Sequence, residues 1–123
     1  MVARHFKELA CWQLSVEMHV KLEAILATPK ASKHLRFCDQ MRAASVSVSS
    51  NIAEGFKRYS PPDFARFLSY ARGSLAELSS QVEIMERMQI GSPSDHLELS
   101  HLIARCSIAT ARLQAYLRTR PRR

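Results

Sequence analysis

Asn51, Glu54, Gly55 and Arg58 form the most site-like group in the chain. On a helix, Asn51 and Glu54 are three residues apart and share a face, and Glu54 and Arg58 are four apart in the order that favours an ion pair. General acid–base catalysis needs a second titratable group nearby, and the sequence offers no obvious one. We therefore predict a structural group and no enzymatic activity. Asn51 and Glu54 would bond to a neighbouring helix or subunit, and Gly55 would allow close approach.

The serines and histidines give no stronger case for chemistry. A serine nucleophile needs a positioned base, and no motif supplies one beside Ser45, Ser47, Ser49 and Ser50. The five histidines include no HxxxH pair, whereas a structural zinc site needs four close ligands. The glycine-rich signatures of nucleotide-binding loops are also missing from the sequence. We predict no metal and no cofactor, and we expect the serines to be packed or exposed.

The C-terminal sequence RTRPRR is the sharpest signal for a partner. The chain has a formal net charge of +7, and arginine pairs well with phosphate groups. A clustered basic segment is typical of nucleic-acid binding. Because no base-reading motif accompanies it, any binding should be to the backbone and should weaken with salt. The alternative is a solvated end that only aids solubility. The candidate nucleic-acid-binding residues are Lys57, Arg58, Arg118, Arg120, Arg122 and Arg123.

The elements that position these residues are predicted to be long, because only 3 Gly and 5 Pro occur in 123 residues. Helical periodicity indicates four helices. The first covers about 5–28 and the second about 33–58, the third follows the start signal at 60–63 and runs to about 89, and the fourth follows the restart at 92–95 and fades at Pro121. The alternation SVSV at residues 45–48 is typical of a strand, but it has no partner strand, so we predict helix there. Short connections favour an up-down-up-down antiparallel four-helix bundle. We assign residues 1–117 to this single domain and residues 118–123 to a basic tail.

Helix ends and core faces are also predicted. Ser32 and Ser60 are expected caps, Asp95 and Glu98 have capping-box spacing, and Gly91 fits a C-terminal stop. The predicted core stripes on the first and second helices are Leu9, Trp12, Val16 and Val20, widened by Met18, Leu22 and Ile25, and then Leu35, Cys38, Met41, Ser45, Val48, Ile52 and Gly55. Those on the third and fourth are Phe64, Phe67, Leu68, Ala71, Leu75, Leu78, Val82 and Met85, and then Leu99, Leu102, Cys106, Ala109, Leu113 and Tyr116.

Location is predicted from cysteine usage and hydropathy. Cys11, Cys38 and Cys106 are odd in number and far apart, which is typical of reduced, packed thiols in a cytoplasmic protein. The first residues carry charges and lack the apolar core of a secretory signal. No apolar run approaches the ~20 residues of a membrane span. We predict a cytoplasmic protein with no membrane partner.

Three segments together resemble a known family. They are FKELACWQ near the start, QMRAASVSVSSNIAEGFKR at residues 40–58, and DFARFLSYARGSLAELSSQV at residues 63–82. They resemble the four-helix-bundle family encoded in intervening sequences within 23S ribosomal RNA genes. The link TPKASKH at residues 28–34 departs from the usual acidic, glycine-containing link of that family. The residues that match the family motif are Asn51, Glu54, Gly55, Arg58, Gly73, Ser74, Glu77 and Leu78.

The resemblance implies an antiparallel four-helix bundle, assembly into a homopentamer, and no enzymatic activity. The family is also similar to the basic accessory proteins of diversity-generating retroelement reverse transcriptases, which engage the polymerase and nucleic acid. Two functions therefore stay open. One is an oligomeric scaffold that binds RNA or DNA loosely. The other is a protein–protein adaptor for a reverse transcriptase or a ribosome-associated partner. An enzyme that uses Asn51 and Glu54 is the weakest alternative.

Overall fold

The structure is a computed structural model that describes residues 3–120. Its four α-helices are α1 (Ala10–Leu26), α2 (Leu35–Phe56), α3 (Pro61–Arg87) and α4 (Pro93–Arg118). Short 3-10 turns, Phe6–Glu8 and Ala31–Lys33, precede α1 and α2. The described residues include no strand, and the Ser-Val repeat lies inside α2. The all-α prediction is therefore confirmed.

The four helices form a closed square in which each packs against two others. Contacts join α1 to α2, α2 to α3, α3 to α4, and α4 back to α1. The α1–α4 pair is antiparallel, since Cys11 near the start of α1 meets Cys106 while Lys21 pairs with Asp95 at the start of α4. Every neighbouring pair runs antiparallel in the same way, as the predicted up-down-up-down bundle requires.

Side-chain caps define the starts of α3 and α4. Ser60 accepts a hydrogen bond from the backbone N–H of Asp63 at 3.3 Å, as predicted. At α4 the capping box is formed by Ser92 and Asp95, each accepting from the other's backbone N–H at 3.0 Å. The predicted pairing of Asp95 with Glu98 is therefore wrong by three positions. The helix begins earlier than that pairing assumed, at Pro93.

In the α1–α2 and α3–α4 connections, the predicted cap and the predicted stop are both displaced from their observed positions. Ser32 does not cap α2, because it lies in the 3-10 turn and donates to the carbonyl of Pro29 at 2.6 Å. The N-cap position is His34, which makes no side-chain cap bond. Gly91 follows α3 with a φ of +83°, a left-handed conformation that glycine adopts without strain. The helix itself stops earlier, at Gln89, which has a φ of +59° and is followed by Ile90, whose N–H donates to the carbonyl of Met85 at 3.1 Å. The predicted stop at Gly91 is therefore wrong by two positions.

The predicted core faces hold for α2 and α3 and only in part for α1 and α4. The residues predicted and found buried on these two helices are Met18, Leu22, Ile25, Leu99 and Cys106. On α2 only Leu35 is wrong, since it is 64% exposed. On α1, Val20 is 63% exposed, and the deepest positions include Cys11 and Ser15. On α4, Tyr116 is 55% exposed, and the buried face carries several polar residues. The buried residues of α4 are His96, Leu99, Ile103, Cys106, Thr110, Gln114 and Leu117.

The misplaced faces have one physical cause, which is that buried polar residues find partners inside the bundle. Ser15 donates to the carbonyl of Trp12 at 2.6 Å, and Thr110 donates to that of Cys106 at 2.7 Å. Gln114 donates to two groups on α3. Once hydrogen-bonded, a polar side chain no longer carries the full cost of burial. A core face predicted from apolar residues alone is therefore rotated away from the buried face of the same helix.

Candidate functional site

The antiparallel topology gathers basic residues at one end of the bundle. The start of α1, the end of α2, the start of α3 and the end of α4 all meet there. We call residues 4–8, 57–66 and 116–120 the basic end. It unites two predicted groups that are distant in sequence, Lys57 with Arg58 and Arg118 with Arg120. Arg118 is the last residue of α4 rather than part of a separate tail, and Arg122 and Arg123 lie outside the described residues. The other basic residues are Arg4, Lys7 and Arg66.

Two of these cations are held by carboxylates. Arg58 pairs with Glu54 at 2.9 Å, which confirms the predicted i,i+4 ion pair. Arg66 pairs with Asp63 at 2.8 Å. This hydrogen bond raises the pKa of Arg66 and lowers the pKa of Asp63. Both pairs are exposed and contribute little to stability. Their main effect is to fix the direction of the two guanidinium groups.

The remaining cations make the end electropositive. Among residues 3–120, Lys57, Arg118 and Arg120 take part in no ion pair with a carboxylate. Arg120 instead lies 5.1 Å from the centre of the Tyr116 ring. A surface with more arginine and lysine than carboxylate attracts polyanions over a distance of about one Debye length, ~8–10 Å in physiological salt.

Sequence reasoning missed the tyrosines of this end. All 3 tyrosines of the chain lie in or next to it: Tyr59 in the α2–α3 connection, Tyr70 in the first turns of α3, and Tyr116 in the last turn of α4. All are exposed, and Tyr59 is completely so. A sequence signal was present, because each tyrosine is next to an arginine or four residues from one. Such spacing brings ring and guanidinium together on a helix.

The group around Asn51 is a structural network beside the basic end. The Nδ2 of Asn51 donates to the backbone carbonyl of Ser47 at 2.8 Å and to its Oγ at 3.0 Å. Ser74 on α3 donates to the same Oγ at 2.8 Å. Within the chain, Asn51 and Glu54 therefore bond to their own helix. The prediction that they reach a neighbouring helix is wrong, and a bond to another subunit stays a prediction. Ser47 and Ser74 make the cross-helix bond.

The two glycines of the family motif differ in their surroundings. A Cβ at Gly55 would lie 2.7 Å from a ring carbon of Phe64 and 2.8 Å from the Cβ of Phe67. The predicted close approach at Gly55 is thus confirmed. A Cβ at Gly73 would meet nothing within 4 Å, and nothing within this chain requires glycine there. Glu77 is exposed and lines a shallow groove between α2 and α3.

A second polar chain lies between α1 and α2, and it corrects the expectation that no base stands near the serines. The Nδ1 of His19 is 2.9 Å from the Oγ of Ser45, and its Nε2 is 3.3 Å from Glu23. The order Ser–His–carboxylate matches that of hydrolase triads. Ser45, however, has no exposed surface, so no substrate reaches its hydroxyl. The chain continues to Arg42, which donates to Glu23 at 3.0 Å, and it joins the two helices.

Residues 3–120 contain no cluster of three or more histidine, cysteine or carboxylate side chains that is placed to hold a metal ion. None of the helices described is both long enough and apolar enough to span a membrane.

Most of the bundle matches one family of proteins. A family model described as 23S rRNA-intervening sequence protein matches residues 7–110. That match covers α1, α2, α3 and most of α4, and it includes the network around Asn51. None of the curated proteins matches the chain. On the strength of the family match, the chain belongs to the 23S rRNA-intervening sequence protein family.

Proposed function

We propose that this protein is a non-enzymatic scaffold that binds nucleic acid weakly and without reading sequence, through its basic end. One observation carries the proposal: the fold brings Lys57, Arg58, Arg118 and Arg120 to the same end from segments about 60 residues apart in sequence. Arginine and lysine at this density recognise the phosphate backbone rather than base edges. The family description refers to 23S rRNA, so structured RNA is the first ligand to test.

We further propose that the binding form is a homo-oligomer, and the family resemblance favours a pentamer. Each subunit would contribute one basic end, and repeated weak contacts along a single polyanion raise overall affinity through effective concentration. In this proposal the cytoplasm is the site of action, consistent with cysteines that are all buried and free.

A salt-dependent titration tests the proposal. Full-length protein, a version that ends at Leu117, Lys57→Gln and Lys33→Gln would be titrated against a structured RNA and a duplex DNA. Lys33 is the matched control, because it is an exposed lysine beside a helix end at the opposite end of the bundle. We expect the truncation and Lys57→Gln to weaken binding and Lys33→Gln to leave it nearly unchanged. Absence of binding even at low salt would contradict the proposal.

A protein–protein adaptor is the second candidate function, and an exposed apolar surface favours it. Val16, Val20 and Leu102 line a groove between α1 and α4, and Val20 is 63% exposed. The charged side chains of Glu17, Lys21 and Glu98 also line it. Contiguous exposed apolar side chains mark contact surfaces more often than isolated ones do. In this alternative the groove binds a protein, such as a reverse transcriptase or a ribosome-associated partner, and the positive charge is incidental.

Sedimentation of the wild type and of Val20→Asp separates the uses of this groove. A lower mass for Val20→Asp would assign the groove to a second copy of the chain and would remove this support for an adaptor. An unchanged mass would leave the groove open to a different protein.

A further inference from the structure

We propose that the basic end binds single-stranded nucleic acid in preference to duplex, with the ring of Tyr59 as a platform on which an unpaired base stacks. This inference rests on the proposed function and names the form of nucleic acid that the same end takes. It is carried by the exposed tyrosines and by the way that arginines are held beside them.

Tyr59 is the clearest stacking candidate. It follows Arg58 in the connection between α2 and α3, and its side chain is fully exposed. Tyrosine in a folded protein usually covers its apolar ring against other atoms and leaves only the hydroxyl wet. Within residues 3–120 the hydroxyl of Tyr59 makes no hydrogen bond and its ring packs on no other ring. Both ring faces are therefore free for a base.

Arginines stand next to Tyr59 in fixed positions. The guanidinium of Arg58 lies 4.4 Å from the centre of the Phe67 ring, and that of Arg66 lies 4.9 Å from the same centre. Arg66 also donates to the hydroxyl of Tyr70 at 3.1 Å, and the rings of Phe67 and Tyr70 meet edge to face at 5.5 Å. Both guanidinium groups thus lie over Phe67 in the first turns of α3, and Arg58 is the residue next to Tyr59 in sequence. In the proposal they meet the phosphates of a nucleotide whose base stacks on Tyr59.

A similar ring–cation unit lies at the end of α4. Arg120 lies 5.1 Å from the Tyr116 ring, and that ring is 55% exposed. No tyrosine of the chain lies at the opposite end of the bundle, although basic residues do, as at Lys33 and Arg36. Aromatic platforms interleaved with basic residues are the pattern by which proteins bind single strands without reading sequence. A duplex stacks its base faces inside the helix, so it can use the charges but not the rings.

The test compares one short single-stranded oligonucleotide with the duplex of the same sequence, by fluorescence anisotropy at low salt. The proteins are wild type, Tyr59→Ala, Tyr59→Phe, Lys57→Gln and Lys33→Gln. We expect Tyr59→Ala to weaken single-strand binding about 5- to 150-fold, the usual range for loss of one stacked base. Tyr59→Phe should keep most of the affinity, and neither change should alter duplex binding. The salt dependence should be the same for Tyr59→Ala and wild type, because stacking involves no counterion.

The outcomes separate this inference from the function beneath it. If Tyr59→Ala binds both forms as the wild type does, or weakens both equally, stacking at Tyr59 is refuted. The proposed function still stands in that case, provided that Lys57→Gln weakens binding and Lys33→Gln does not. If no protein binds either form at low salt, both proposals fail. Misfolding does not confuse the result, because Tyr59 makes no packing contact, and circular dichroism checks each variant.

Discussion

Replacing Gly55 with alanine adds a methyl group at the tightest glycine contact between α2 and α3. The new Cβ would lie 2.7 Å from Phe64 and 2.8 Å from the Cβ of Phe67. The Phe64 ring can rotate away, but the Cβ of Phe67 is fixed to the α3 backbone, so α2 and α3 must separate slightly. Overpacking of this kind costs about 1–3 kcal/mol. Alanine returns up to ~1 kcal/mol through its higher helix propensity, and less near a helix end.

Gly73→Ala is the matched control for this substitution. It makes the same chemical change in the middle of α3, where the new Cβ meets nothing within 4 Å. Only the propensity gain applies there, so we expect Gly73→Ala to stabilise the fold by about 0.5–1 kcal/mol. The difference in unfolding free energy between the two variants then reports mainly the steric cost at Gly55, with a smaller part from the lower propensity gain near the end of α2. We expect Gly55→Ala to be the less stable by about 1–3 kcal/mol.

Urea unfolding followed by far-ultraviolet circular dichroism measures this difference. All proteins must be compared at one concentration, because self-association raises apparent stability. A thermal melt gives a second readout, with ~2–8 °C expected per kcal/mol at this chain length. If Gly55→Ala were as stable as Gly73→Ala, the close approach of α2 and α3 would not be limiting, and the structural role assigned to Gly55 would be wrong.

Three further predictions concern acid stability, thiol reactivity and a buried amide. The pKa of Asp95 is lowered to about 2, mainly by the hydrogen bond from the backbone N–H of Ser92. Because this folded pKa is below the unfolded value of ~3.9, the stabilisation from Asp95 should be present above about pH 4 and lost as the pH falls towards 2. In acid unfolding titrations, Asp95→Asn should therefore lose less stability between pH 4 and pH 2 than the wild type does. Burial raises the pKa of Cys11 to about 11 and that of Cys106 to about 12. Because the thiolate is the reactive form, both cysteines should resist alkylation until the chain unfolds. Mass spectrometry that shows rapid labelling of the native protein would contradict this. Gln114 makes three hydrogen bonds of 2.7–2.8 Å to α3. Gln114→Ala should therefore lower the unfolding free energy by about 2–4 kcal/mol. A decrease of less than ~1 kcal/mol in urea unfolding would show that these bonds do not contribute to the stability of the fold.

The fold was predictable because turn signals and periodicity agree along most of the chain. The prolines and serines before α3 and α4 mark their starts, and the buried stripe on α3 is apolar except for Gln81. The faces of α1 and α4 were only partly predictable from hydropathy, because Ser15, Thr110 and Gln114 are polar yet buried. Their hydrogen-bond partners lie either one turn away or on another helix. A prediction from apolar periodicity alone assigns all three of these residues to the solvent-facing side of their helix.

The candidate site was predictable in its parts and not in its assembly. The ion pair of Glu54 with Arg58 follows from spacing alone. The meeting of Lys57 with Arg118 depends on antiparallel topology, which a charge count along the chain does not contain. The contact of His19 with Ser45 joins residues 26 apart on different helices, so no local motif could signal it.

The most direct test of the central claim is the affinity of the intact protein for a structured RNA across a salt series, measured beside Lys57→Gln and Lys33→Gln. Removal of one lysine–phosphate interaction should reduce the slope of log affinity against log salt by roughly 0.7–0.9. We predict steep salt dependence for the wild type, a smaller slope and weaker binding for Lys57→Gln, and wild-type behaviour for Lys33→Gln. Equal effects of the two lysine variants, or binding that does not change with salt, would contradict a nucleic-acid interface at the basic end.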